Sequence, residues 1–120
     1  MDQISNSKPK YNLEERSYEF ALRVDKYINR LPKTITNLEH GKQLARSSGS
    51  IAANYIEANE SLSKKDFILR VKISKKETKE TRLWLKLSQP NQEDLAEKEY
   101  LINESTELMK ILGAILEKSK

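Results

Sequence analysis

Cysteine is absent from this chain, which excludes disulfides, thiolate zinc sites and thiol nucleophiles, and nothing in its composition points to an oxidising compartment. Histidine occurs once, as His40, with no glutamate three residues before it. That excludes the Glu-x-x-His pairs from which helical proteins build two-metal sites. No phosphate-cradling glycine loop, nucleophile elbow or Ser/His/Asp set is present. The expectation is therefore a non-enzyme with no cofactor and no metal. Only three glycines and three prolines interrupt 120 residues, too few for a protein rich in hairpins. No apolar run approaches the roughly 20 residues that span a bilayer, and residues 1–10 lack the apolar stretch of a signal peptide, so no membrane association and a cytoplasmic location are expected.

What is abundant is charge, at 33% of residues, arranged around apolar positions that recur at intervals of three and four. Four segments show this period, over about 13–31, 37–60, 64–88 and 92–117, after a polar N-terminal stretch at 1–11 read as a flexible arm. Each is headed by a residue able to cap free backbone N–H groups, with an acidic residue three positions on: Asn12 and Glu15, Thr36 and Glu39, Ser63 and Asp66, Asn91 and Asp94. Leu62 and Phe67 suggest a hydrophobic staple at the third. Pro32 and Pro90 stop the first and third helices. Connections of a few residues make consecutive helices antiparallel neighbours, so the predicted fold is all-α, an up-down-up-down four-helix bundle in one domain.

The expected core positions are Phe20, Val24, Ile28 and Leu31 in the first helix, with Leu38, Leu44, Ser48, Ile51 and Tyr55 in the second. In the third helix Leu69, Ile73, Trp84 and Leu87 share one side, which also carries Glu77 and Glu80. If the second and third helices pair through a turn near Leu62, their facing residue numbers sum to about 127. Ser47, Ser50, Asn54 and Glu57 then meet Arg70, Glu77 and Glu80 in a polar seam, with an expected Glu57–Arg70 ion pair and serine hydroxyls donating to carboxylates. In the fourth helix Leu95, Ile102, Met109, Leu112 and Leu116 make one apolar face, and Leu101, Leu108, Ile111 and Ile115 lie beside it. That width suggests an oligomer contact at the latter four.

Residues 64–86 hold nine Lys and Arg against three acidic residues, a local charge of +6 in a chain of net charge +4. Lys72, Lys75, Lys79, Arg82 and Lys86 form a line about 21 Å long at 1.5 Å per residue, opposite the expected core side. Such a line can follow a phosphate backbone, or it can be a solvated face. Two readings stay open: a nucleic-acid-binding oligomer, with structured RNA the expected ligand, and a protein-interaction module whose charges serve solubility.

The stretch LARSSGSIAANYIEA, with KKETKETRLWL downstream, resembles the small bacterial four-helix-bundle proteins encoded in 23S rRNA intervening sequences, also labelled S23 ribosomal proteins. The likeness runs from Glu15, Arg16, Phe20, Ala21, Leu31 and Pro32 through Gln43, Leu44, Arg46, Ser47, Ser50, Ala53, Asn54, Glu57 and Ala58. It continues at Phe67, Glu77, Glu80, Trp84 and Leu85, while Ser74 departs from an expected alanine. The resemblance implies a homo-oligomer, a pentameric ring, and kinship with the accessory variability proteins of retroelements, which work with reverse transcriptase and RNA through a basic surface.

Overall fold

A computed structural model describes residues 12–120; the arm expected at 1–11 lies outside the described residues. Four α-helices run α1 (Leu13–Asn29), α2 (Ile35–Asn59), α3 (Lys64–Leu87) and α4 (Leu95–Lys118), with a 3-10 turn at Gln92–Asp94 leading into α4. No strand occurs among the described residues. The fold is an all-α four-helix bundle. Two of the four expected caps form as anticipated: the side chain of Asn12 accepts from the Glu15 N–H, and that of Ser63 from the Asp66 N–H. The cap of α2 is Thr34, accepting from Asn37, two residues earlier than expected. At Asn91 the backbone carbonyl, not the side chain, accepts from Asp94, which is how the 3-10 turn arises. Leu62 is fully exposed and makes no staple with Phe67.

The closest-packed pair is α2 and α3, and the residues between them explain why. Ser47, Ser74 and Thr81 are completely buried there, and their small side chains let the two backbones approach. A buried hydroxyl must find a partner or lose stability. Ser74 donates to the Ile51 carbonyl of α2 at 2.8 Å, and Thr78 to the Ser74 carbonyl at 2.8 Å. Thr81 Oγ1 lies 2.8 Å from both Ser47 Oγ and the Glu77 carbonyl. The alanine expected at position 74 would lack that cross-helix bond.

These hydroxyls turn α3 away from its expected orientation. Its buried column is Val71, Ser74, Thr78, Thr81 and Leu85, whereas Leu69 and Leu87 are exposed and Ile73 and Trp84 half-buried. In α2, Leu38 is likewise exposed. The fourth helix is corrected in the same sense. Leu101 and Leu108, expected at an oligomer contact, are completely buried in the protomer's own core, and Ile111 and Ile115 pack against it. Leu95, expected inside, is exposed. The column Leu101, Ser105, Leu108, Leu112 is the true centre, and its buried serine disguises it as a lesser face. Each fully buried leucine there contributes about 2 kcal/mol.

Candidate nucleic-acid interface

Because its hydroxyl column faces inward, α3 presents its two flanks to different neighbours. On one flank Arg70, Glu77, Glu80 and Trp84 lie along α2; on the other the basic line lies along α4. Lys72, Lys75, Lys79 and Lys86 are exposed, and the line runs beside the core rather than opposite it. Gly113 of α4 leaves room for the stem of Lys75, whose Cε would sit 3.7 Å from a Cβ at that position. The Arg82 Nε donates to Thr106 Oγ1 at 3.0 Å, which fixes the guanidinium against α4. Between the helices lies a trough of about 470 Å³ lined by Lys72, Lys75, Lys76, Lys79, Met109 and Leu116. A second hollow of about 430 Å³ shares Lys76 and Lys79 with it and continues past Leu83 and Arg82 to Lys86. Lys76 was not among the expected site residues, and the geometry adds it.

Charge pairing separates the basic line from the arginines of α1 and the arginine of α2. Among the described residues, no carboxylate lies within 4 Å of the ammonium or guanidinium of Lys72, Lys75, Lys76, Lys79, Arg82 or Lys86, whereas Arg16, Arg23, Arg30 and Arg46 are all ion-paired. The one acid bordering the trough, Glu80, is held by Arg46 at 2.9 Å. Unpaired cations along apolar walls produce a focused positive potential, since low-dielectric walls concentrate the field. The arrangement can bind an extended polyanion. Among the described residues no group of three or more His, Cys, Asp and Glu is placed to hold a metal ion.

The polar seam exists, with different partners. The cross-helix register is close to expectation, since Ser47 meets Thr81 and Asn54 meets Arg70. Arg70 donates to Asn54 Oδ1 at 3.1 Å rather than pairing with Glu57, and Glu57 is exposed. Ser50 donates back to the Arg46 carbonyl, so the serine hydroxyls serve backbone oxygens and not carboxylates. The carboxylates Glu77 and Glu80 converge instead on Arg46, at 3.3 and 2.9 Å. Helical back-bonding is available to any serine within its own turn, and a guanidinium reaches further than a hydroxyl. His40 stacks on Trp84 with ring centroids 5.6 Å apart.

A ladder of ion pairs between α1 and α4 was not anticipated. Arg16 grips Glu104 with two bonds of 2.7 and 2.9 Å, Arg23 grips Glu97 at 2.6 and 2.9 Å, and Arg30 reaches Asp94 at 2.9 Å. The hydrogen bond to Glu104 raises the pKa of Arg16, and that to Glu97 raises the pKa of Arg23. Arg23 also lies 3.8 Å over the Tyr100 ring. The signal was in the sequence: arginines at 16, 23 and 30 and glutamates at 97 and 104 repeat every seven residues.

Residues 10–114 match the family described as 23S rRNA-intervening sequence protein. The chain belongs to that family. The likeness stated from Leu44–Ala58 and Lys75–Leu85 thus holds over most of the length. Among solved structures, a protein of unknown function from the S23 ribosomal protein family of Bacteroides thetaiotaomicron is 32% identical, covers 87% of this chain and 97% of its own, and superposes with a TM-score of 0.70. No curated protein matches. For an intervening-sequence protein, the family description concerns where the sequence is encoded and leaves the biochemical role open. No described helix is long and apolar enough to cross a membrane.

Proposed function

We propose that this intervening-sequence protein is a non-catalytic, cytoplasmic nucleic-acid-binding protein whose ligand, structured RNA, lies along the basic trough between α3 and α4. The observation that carries the reading is the clustering of six cations, Lys72, Lys75, Lys76, Lys79, Arg82 and Lys86, along two adjoining hollows, none of them with a carboxylate partner among the described residues. Like charges held at spacings of three and four repel, and a polyanion relieves that repulsion while releasing its own counterions.

A second reading, a scaffold that assembles into a homo-oligomeric ring, pentameric by resemblance, or docks a protein partner, is favoured by one separate observation. Leu38, Ala45, Gly49 and Ile56 form an exposed stripe along α2, on a side of the molecule away from the trough. Sedimentation of the free protein and of protein mixed with RNA at low salt tests both. An RNA-dependent shift that salt abolishes supports the first reading. A protein that sediments as a monomer with no shift at low salt removes the first reading and the ring.

A further inference from the structure

We infer that the trough receives the sugar-phosphate backbone of a double-stranded nucleic acid and reads no bases. The inference rests on the nucleic-acid reading above and sharpens it. Proteins that hold single strands combine cationic grooves with aromatic platforms on which unpaired bases stack. Among the described residues no aromatic side chain lines either hollow. Of the described aromatic residues, Phe20 and Tyr27 lie in the core with Tyr55 and Phe67 packed against it, Trp84 stacks on His40 on the α2 flank, Tyr100 lies under Arg23, and Tyr18 is on α1. A flexible strand laid in this trough would lose conformational freedom without gaining stacking.

The donors present also suit phosphates better than base edges. Asparagine and glutamine, which pair with adenine, do not line the trough, and the one guanidinium has its Nε engaged by Thr106. What remains is lysine, a point charge that matches phosphate without orientation. These charges stand on one uninterrupted helix, so their row is straight and fixed over about 21 Å at 1.5 Å per residue. A duplex meets that row with its phosphates already in rigid array and at about twice the linear charge density of a single strand.

The experiment is fluorescence anisotropy with the full chain and an RNA duplex of roughly 20 base pairs, long enough for the counterion relation to apply, alongside each separated strand. Two unrelated sequences are used, between 50 and 200 mM salt. The expected result is a duplex affinity at least about tenfold above that of either strand, equal for both sequences within about twofold, with a log–log salt slope of about −5 for the six cations. The Lys72→Gln/Lys75→Gln/Lys79→Gln variant, folded by circular dichroism, should lower that slope by about 2 to 3. Single strands that bind as tightly as the duplex, or a strong preference between the two sequences, overturn this inference and leave the proposed function standing. Absence of binding to every nucleic acid at 50 mM salt overturns both.

Discussion

Tyr27 shows how much a single buried side chain can organise. Its ring is 2% exposed, and its hydroxyl lies 2.6 Å from Ser88 Oγ, which in turn donates to the Leu85 carbonyl, so α1 is tied to the last turn of α3 through two hydroxyls. Burial raises the pKa of the phenol above the ordinary tyrosine value of 10.0, outweighing the opposite pull of its hydrogen bond with Ser88. The folded protein therefore holds that proton more tightly than the unfolded chain does. The associated stability is complete below about pH 10 and declines as pH rises from there through the folded value. Tyr27→Phe should cost about 1 kcal/mol near neutral pH through the lost hydrogen bond. It should also flatten the alkaline decline, as measured by urea midpoints at about pH 8 and pH 11. An equally steep decline in the variant would assign the alkaline sensitivity to other groups. Arg46 illustrates a different economy of contacts, since one half-exposed guanidinium serves both Glu77, 8% exposed, and Glu80.

At the scale of the element, α2 contains two glycines with opposite surroundings. A Cβ at Gly41 would lie 3.3 Å from Ile28 Cγ2, so this glycine admits α1 closely. A Cβ at Gly49 would meet nothing within 4 Å. Gly49→Ala should therefore stabilise the protein by about 0.5–1 kcal/mol, the difference in helix propensity. Gly41→Ala should show no such gain, because Ile28 must give way. Chemical denaturation of both variants checks the contrast, and equal effects would contradict it.

The same scale explains what could be read without coordinates. Helix number, approximate bounds and antiparallel register followed from period and short connections, which are local properties. The rotation of α3 and the choice of central column in α4 did not. Both depend on Ser74, Thr78, Thr81 and Ser105 being buried. Ser74 bonds the Ile51 carbonyl across the helix pair, whereas Thr78 and Ser105 are satisfied within their own helices. A bond within the helix is open to exposed and buried hydroxyls alike, so the residue type carries no local mark of burial. The basic line was legible because like charge at helical spacing needs no partner to be recognised. That it lies against α4, with Lys76 included, required the packing.

Across the whole molecule, the helices are joined in two chemically distinct ways. Between α2 and α3 the contact is close and centred on buried hydroxyls, with Arg46 and its two glutamates at its margin; between α1 and α4 the backbones stand further apart and three arginine–carboxylate pairs span the gap. Exposed ion pairs of this kind are worth no more than about 1 kcal/mol each and weaken with salt. This asymmetry orders events in time as well as space. The bond from Ser74 to Ile51 closes a separation of 23 residues, while the ladder closes separations of 88, 74 and 64. Loops of that length carry a larger entropy penalty, so the central hairpin should assemble first and the outer edge should zip last. Neutralising Arg16 and Arg23 to glutamine should then accelerate unfolding several-fold while leaving the refolding rate nearly unchanged, a pattern readable from the two arms of a denaturant chevron. Slowed refolding would place the ladder in the nucleus instead. The edge that closes last is also the first to open, so a protease or an exchanging solvent deuteron should find this protein through α1 and α4.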